Sequence, residues 1–318
     1  MKKILFSLFV LFVIIYFTNC TKAQREYKIT DIRIYKNTDV WELAQAVNKQ
    51  DTLSISLLAQ KNPNLLDYKD PVYGTTLLVW AVGNEKYQSA KALLKNGADP
   101  NVISDYVGGT ALYLASGYSW VDTNAHKDPK YVSLLLEFGA DPNINSVGTQ
   151  RKKFSYILDG ESIETMIGIG ESPLIRSIGS GIEKTKLLIN AGAEVNYVTP
   201  DGKTAAIYSL IYVGQNSTVD SLKYAYYLIV DKHADITGSY PRLVSFGNQM
   251  SKEECYPVEL LRGWIFDIDS EKYKIKMEIV DEFMRQGVDY WNSEIPMHDL
   301  QTIVDMYPDT WREYIKQY

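Results

Sequence analysis

The sequence predicts an all-α solenoid of stacked helix pairs that carries one long β-hairpin insertion. Three observations predict it: one helix-and-stop segment recurs, two pairs of neighbouring unit starts lie 34 and 32 residues apart, and one insertion alternates apolar residues around a turn dipeptide. Each copy of the segment has apolar residues at helical spacing, then a turn-forming residue and an acid. The copies are Lys91–Asn101, Val132–Asn143, Thr185–Asn196, Ala225–Ile236 and Glu278–Tyr290. A chain that repeats one helix and its end five times is a repeat protein.

A glycine follows the last apolar position in four of the five copies: Gly97, Gly139, Gly192 and Gly287. Helices commonly end in a residue of left-handed conformation, which costs glycine least. We therefore expect positive φ angles at these glycines. His233 takes the equivalent place in the remaining copy, and we expect local structure to explain it.

The N-terminus has the pattern of a targeting segment. Lys2 and Lys3 precede an apolar run, Ile4–Phe17, which is short for a membrane span and suits a signal peptide. We predict a signal peptide at residues 1–19, which extends to 23 if cleavage is later. The domain would then be exported, to the periplasm or to the outer membrane.

Two cleavage sites compete in this segment. Residues 17–20, Phe-Thr-Asn-Cys, loosely resemble a bacterial lipoprotein box, which would make Cys20 a lipid attachment site. Thr21-Lys22-Ala23 instead favours cleavage before Gln24. A signal anchor that stays in the membrane is the third alternative. For the exported domain we expect membrane contact only through a lipid anchor at Cys20.

Composition argues against a nucleic-acid partner and against an internal disulfide. The 318 residues are 46% hydrophobic and carry a net charge of −6, without a basic tract, so nucleic acid is not an expected partner. Cys20 and Cys255 are the two cysteines. With Cys20 lipidated or removed, no internal disulfide can form and packing must hold the fold.

One unit carries a more specific pattern. Its first helix opens at Thr76 with Leu78 and Ala81 following, and its second helix ends before Gly97-Ala-Asp-Pro-Asn101. This unit resembles an ankyrin repeat, whose helices begin with Thr-Pro-Leu-His-x-Ala and end before Gly-Ala-Asp-Val/Pro-Asn. Thr110 starts the next unit 34 positions after Thr76, close to the ankyrin period of about 33.

The resemblance extends over residues 38–290 as about six repeats. Later units start at Ser172-Pro173-Leu174, at Thr204 and, more weakly, at Tyr256. It implies that the threonine accepts a hydrogen bond from the helix start, and that the Asp and Asn of the turn hold that turn. We expect an extended lead-in at 24–37 and a C-terminal capping helix at 291–318, interrupted at Pro308.

Four insertions interrupt the repeat: about Ser119–Pro129, Asn145–Gly170, Val213–Ser221 and Gly238–Lys252. The largest, 145–170, contains alternating apolar residues around Asp159-Gly160, which predicts a long hairpin over Phe154–Met166. Insertions at one corner of a solenoid often enlarge its binding face.

The sequence shows no catalytic constellation. His126, His233 and His298 have no ligand partners that would indicate a metal site, and Gly168-Ile-Gly170 stops after half of a phosphate-binding fingerprint. We therefore expect no enzyme activity, no cofactor and no metal.

The resemblance implies protein binding on a concave face formed by turns and inner helices. The residues that map there are Tyr73, Tyr106, Tyr118, Trp120, Lys203 and Tyr212, with Trp80 and Arg176 one register away. Tyrosine and tryptophan are frequent at interface hot spots, although these rings could instead pack between repeats.

The expected function is a non-catalytic protein-interaction module of the bacterial cell envelope, binding through this face and the hairpin. Two alternatives remain. One is an immunity-type inhibitor of a toxin delivered to the periplasm. The other is an envelope hydrolase or carbohydrate-binding protein, which clustered carboxylates under the hairpin would support.

Overall fold

The computed structural model describes residues 27–122, 127–149, 153–158, 161–166, 168–246 and 249–318. The predicted signal peptide, Cys20 and both cleavage sites lie outside the described residues, and so does His126. Within the described ranges, no helix combines the length and the apolar character that crossing a membrane requires.

The described residues contain six successive helix pairs, each with an inner and an outer helix. The inner helices are α1 (Trp41–Lys49), α3 (Leu77–Gly83), α5 (Ala111–Ser116), α7 (Pro173–Ser177), α9 (Ala205–Asn216) and α11 (Pro257–Arg262). The outer helices are α2 (Thr52–Lys61), α4 (Tyr87–Lys95), α6 (Lys130–Glu137), α8 (Ile182–Asn190), α10 (Val219–Tyr226) and α12 (Glu271–Arg285). A π-helical turn, Tyr227–Asp231, continues α10.

One continuous apolar core runs through this stack from Ile29 to Tyr290. Each inner helix packs on its own outer helix and on the next inner helix, for example α3 on both α4 and α5. The leucines of the recurring segment lie in this core, with Leu93, Leu135 and Leu188 fully buried. The predicted all-α solenoid is confirmed.

Hydroxyl side chains start four of the inner helices. Thr76, Thr110, Ser172 and Thr204 each accept a hydrogen bond from the backbone N–H three residues later, at 3.1–3.4 Å. All four are buried, where an unpaired N–H would be costly. The predicted capping role is confirmed.

The ends of the outer helices also follow the prediction. The φ angles of Gly97, Gly139, Gly192 and Gly287 lie between 85° and 95°. His233 adopts φ 50°, and its Nδ1 lies 3.1 Å from Glu282 Oε1 on α12, so local structure accounts for a non-glycine residue there.

The turns are joined by a ladder of asparagines. The Asn101 side chain donates to Gly139 O and accepts from Asp141 N. Asn143 makes the same two bonds to Gly192 O and Glu194 N. The acid before each asparagine holds its own turn, whereas the asparagine connects one repeat to the next.

The predicted hairpin is present as β1 (Lys153–Leu158) and β2 (Glu161–Met166), which pair antiparallel with Leu158 opposite Glu161. A second hairpin, β3 (Tyr240–Phe246) and β4 (Gln249–Cys255), occupies the insertion at 238–252, where we predicted no strand. The two hairpins form one sheet in the order β2-β1-β4-β3, because β1 runs parallel to β4 at Leu158 and Met250.

The lead-in differs from expectation. It is not simply extended, because Ile32–Tyr35 forms a 3-10 helix with Ile34 and Tyr35 fully buried. The Tyr35 hydroxyl donates to Thr75 O at 2.8 Å, so this segment closes the first end of the stack. Part of the insertion at Val213–Ser221 continues α9, which ends at Asn216.

The C-terminal segment contains two helices, α13 (Met297–Met306) and α14 (Trp311–Tyr314). They enclose a small separate core in which Ile303, Tyr314 and Tyr318 are buried. The break between the helices contains Pro308.

Candidate functional site

A series of edge-to-face aromatic contacts lies where the first three repeats meet. The Tyr73 and Tyr106 rings are 5.4 Å apart between centroids, and the Tyr106 and Trp120 rings are 5.8 Å apart and perpendicular. Tyr106 and Trp120 are half-buried. Their partly exposed rings are therefore fixed in orientation by their neighbours.

A second aromatic group lies farther along the same side. Tyr212 of α9 meets Tyr224 edge-on at 5.8 Å, and Tyr224 in turn accepts a hydrogen bond from Gly181 N. Burial and the nearby Tyr118 raise the pKa of Tyr212. Tyr118 itself is 43% exposed, which makes it the most accessible ring of the predicted set.

Glycines beside the C-terminal ends of three inner helices leave room for Trp120, Arg176 and Tyr212, and we call each of these glycine positions a glycine seat. A Cβ at Gly83 would lie 2.4 Å from the Trp120 ring, one at Gly117 would lie 2.6 Å from Arg176 Nε, and one at Gly179 would lie 2.8 Å from the Tyr212 ring. In each case a side chain of the following repeat occupies the space that the glycine leaves. We call the side that carries Tyr106, Tyr118, Trp120, Arg176, Lys203 and Tyr212 the inner face.

A polar group occupies the middle of the inner face. The Arg176 guanidinium lies 5.5 Å from the centroid of the Tyr113 ring, and its Nη1 lies 3.7 Å from Glu171 Oε2. The Tyr113 hydroxyl donates a short hydrogen bond to the same carboxylate oxygen. Burial, followed by the Glu171 charge, raises the pKa of Tyr113 well above its usual value.

Lys203 belongs to a neighbouring polar group. Its Nζ lies 2.5 Å from Asp201 Oδ2, and Thr199 and Tyr208 also donate to the Asp201 carboxylate. Burial alone would raise the pKa of Asp201, but the hydrogen bonds from Lys203 and Thr199 outweigh it and the pKa is lowered. The charge of Lys203 is therefore largely committed within the protein.

Two predicted residues lie deeper than expected. Trp80 is only 1% exposed and packs in the core, so the prediction that it shares the binding face is wrong. Its register does not explain this, because Arg176 and Tyr208 also lie four residues after a capping residue and are half-buried. The packing of the neighbouring inner helices therefore buries Trp80. Tyr73 is also buried, and its hydroxyl donates to Tyr27 O at 2.6 Å. Its ring therefore supports the Tyr106 ring instead of facing a partner.

Sequence reasoning missed Tyr113 and Tyr208, which hold the two carboxylates. A signal was available for Tyr208, which follows Thr204 by four positions as Arg176 follows Ser172. No comparable signal marked Tyr113, because its partner Glu171 lies 58 residues away.

A buried lysine supports the inner face from below. Lys184 of α8 donates from Nζ to Ala115 O and to Gly117 O, each at 2.9 Å, and thus caps the C-terminal end of α5. Burial lowers the pKa of Lys184 to about 8. Because Gly117 is the glycine that seats Arg176, this capping fixes the position of the guanidinium.

The described residues hold no cluster of three or more His, Cys, Asp or Glu side chains that would suit a metal ion. Glu171 and Asp201 lie near the bases of the hairpins, but each carboxylate is hydrogen-bonded to tyrosine. These contacts arrange a binding surface more readily than an acid–base pair.

Comparison with known proteins agrees with the repeat pattern. The family model for ankyrin repeats matches residues 43–146 as three copies. The solved structure of the ankyrin repeat protein EF0377 is 18% identical, covers 77% of this chain and 98% of its own, and superposes with a TM-score of 0.48. No curated protein matches the chain. Residues 43–146 therefore carry ankyrin repeats, and they lie inside a stack of six helix pairs.

Proposed function

We propose that this protein is an exported, non-catalytic interaction module of the bacterial cell envelope that binds a protein partner on its inner face. The observation that carries the proposal is the inner face itself, where rings held edge-to-face remain partly exposed beside a guanidinium. Ankyrin repeats generally mediate contacts between proteins, and the partner here would be another envelope or secreted protein.

The physical argument concerns entropy. A tyrosine or tryptophan that is already immobilised loses little freedom on binding, and it offers a large contact area. Trp120 and Tyr212 are immobilised by their glycine seats and by neighbouring rings. Such pre-organised side chains are the usual hot spots of protein interfaces.

Electrostatics favour binding over hydrolysis. A general acid at neutral pH needs a carboxyl group of raised pKa. Asp201 has the opposite shift, because Lys203 and Thr199 stabilise its ionised form. Glu171 is held by Tyr113. The pair therefore supports the tyrosines and cations of the inner face.

The place of action rests on the N-terminal segment. The basic and apolar pattern of residues 1–19 supports export, and Cys20 would carry the lipid if the lipoprotein-like site is used. Mass spectrometry of the mature N-terminus tests this directly. A lipidated Cys20 indicates an anchored protein, free Gln24 a soluble one, and an intact Met1 contradicts processing.

The partner-binding proposal is tested by affinity capture from envelope extracts with quantitative mass spectrometry. The test variant is Tyr118→Ala/Tyr212→Ala on the inner face. The matched control is Leu53→Ala, a residue 70% exposed on the outer helix α2. We expect the same partner to be recovered by the unaltered protein and by the control, and to be lost from the double variant. Equal recovery by all three proteins would show that binding occurs elsewhere.

A further inference from the structure

We propose that Arg176 forms a carboxylate-binding subsite at the centre of the inner face, which receives an Asp or Glu side chain of the partner. This inference rests on the proposed function and names the chemistry that the partner must supply. It would distinguish the partner segment from one that binds the aromatic rings through apolar contacts alone.

The first observation is an unused set of donors. Within the described part of the chain, the Arg176 guanidinium donates no hydrogen bond, and its Nε is buried without an acceptor. The Glu171 carboxylate is its ion-pair neighbour, but 3.7 Å between Nη1 and Oε2 is too long for a hydrogen bond. A guanidinium carries five N–H donors that match a carboxylate in fork geometry.

The second observation is that this guanidinium is already oriented. The Tyr113 ring lies against one part of the side chain, and the glycine seat at Gly117 holds another part. Lys184 fixes the carbonyl groups of Ala115 and Gly117 beneath it. The side chain is nevertheless 39% exposed, so its outer nitrogens face solvent from a fixed position.

The third observation explains why Glu171 does not occupy this subsite. Its Oε2 accepts the Tyr113 hydroxyl, and this bond directs the carboxylate toward the ring. Glu171 therefore offsets part of the Arg176 charge without using its donors. Lys203 cannot substitute, because its ammonium group is paired with Asp201.

The neighbours define the rest of the segment that would bind. Tyr118 follows Gly117 in the chain and is exposed, and it lies near Tyr212. If an acidic residue of the partner binds Arg176, the residues next to it in the partner chain would lie beside these aromatic rings. We infer a partner segment in which one Asp or Glu is flanked by apolar or aromatic residues.

The test uses random 12-residue peptides displayed at the N-terminus of a phage coat protein, so that no peptide has a free C-terminal carboxylate. Selections are run on the unaltered protein, on Arg176→Gln and on Lys186→Gln, an exposed lysine of the outer helix α8. We expect the unaltered protein and the Lys186→Gln control to enrich peptides with one acid beside apolar residues. Synthetic copies should bind Arg176→Gln about tenfold more weakly or worse, which corresponds to about 1.4 kcal/mol.

A charge exchange provides the sharper measurement. Replacing the peptide's acid by lysine should abolish binding to the unaltered protein, and Arg176→Glu should restore part of it. Peptides that need Tyr118 and Tyr212 but show no preference for an acid would overturn the subsite and leave the binding face intact. If no selected peptide depends on Tyr118 or Tyr212, the binding face fails as well, and the subsite with it.

Discussion

Two regions of this protein combine tyrosines with a buried or half-buried cation, and they differ in what the cation contacts. On the inner face, Arg176 donates no hydrogen bond to the described residues. At the end of the stack, Arg262 of α11 is fully buried and donates to the carbonyl oxygens of Tyr318 and Tyr290 at 2.6 and 2.5 Å. Its Nε also donates to Ser293 Oγ.

The end of the stack has a second buried cation. Lys276 of α12 donates to Trp264 O at 2.9 Å, and its Nζ lies 3.5 Å from the centroid of the Tyr318 ring. Burial lowers the pKa of Lys276 well below its usual value. We call Arg262, Lys276, Tyr290 and Tyr318 the end cluster.

The difference shows that residue type alone does not separate a binding surface from a structural cluster. In the end cluster, each cation donates to backbone carbonyl groups, and Arg262 thereby holds the last repeat to the C-terminal segment. On the inner face, the donors remain available to another molecule. Changes in the end cluster should therefore alter stability, and changes on the inner face should alter binding.

The largest expected effect is that of Arg262→Met. It removes the donor to Tyr318 O and one of the donors to Tyr290 O, which keeps those from Ser293. The loss of these charged hydrogen bonds should lower the free energy of unfolding of this end by about 3 kcal/mol. Urea denaturation followed by circular dichroism measures the loss, and hydrogen exchange should place it in residues 257–318. The control Arg312→Met changes an exposed arginine of α14. Equal midpoints for the two variants would mean that the end cluster is not structural.

The sequence predicts what is decided within a few neighbouring residues. Thr76 starts a helix and Gly97 ends one because each acts on the backbone of its own turn. The hairpin around Asp159-Gly160 was predictable for the same reason. The second hairpin was missed although its strands flank Gly247-Asn248 in the sequence, a pair typical of two-residue turns.

Contacts between distant residues were not predictable in this way. Lys184 caps a helix end 69 positions earlier at Ala115, and its burial depends on how three repeats stack. The burial of Trp80 depends in the same way on the neighbouring inner helices. Aromatic residues in the sequence therefore indicated the inner face, but only the packing separated Tyr118 from Trp80.

The second effect concerns pH and the buried lysines. The folded state binds the Lys184 proton with a pKa of about 8, whereas an unfolded lysine keeps its proton up to about 10.4. Between these values the unfolded state holds more protons, so stability should rise with pH from 8 to 10. One such group contributes at most about 1.4 kcal/mol per pH unit.

The variant Lys184→Met should remove this contribution. Lys276 has a shift of the same direction and remains in the variant, so part of the rise should persist. Raised pKa values of the buried tyrosines and of Cys255 oppose the rise at high pH, but they are common to both proteins. Urea midpoints at pH 8, 9 and 10 give the comparison. Parallel curves for the two proteins would show that burial does not lower the pKa of Lys184.

A smaller effect is expected where a glycine seats a side chain. Gly117→Ala places a Cβ 2.6 Å from Arg176 Nε, although Gly117 has no positive φ that an alanine would strain. Because the added Cβ displaces Arg176 from its oriented position, we expect a loss of about 1 kcal/mol. Gly214→Ala in α9 is the control, since its Cβ meets nothing within 4 Å. That change should instead stabilise the protein by about 0.5–1 kcal/mol, and thermal denaturation would show the opposite signs.

The smallest expected effect on stability is that of Arg176→Gln. The change removes a cation next to the Tyr113 ring, a contact of about 0.5–1 kcal/mol at exposed sites. It breaks no hydrogen bond of the guanidinium within the described residues. Glu171 keeps the Tyr113 hydroxyl as its donor. Urea midpoints should therefore differ by less than those for Arg262→Gln, the same substitution in the end cluster. A large loss for Arg176→Gln would mean that its donors already have acceptors within the protein, and the guanidinium would then belong with the structural cations rather than with the binding surface.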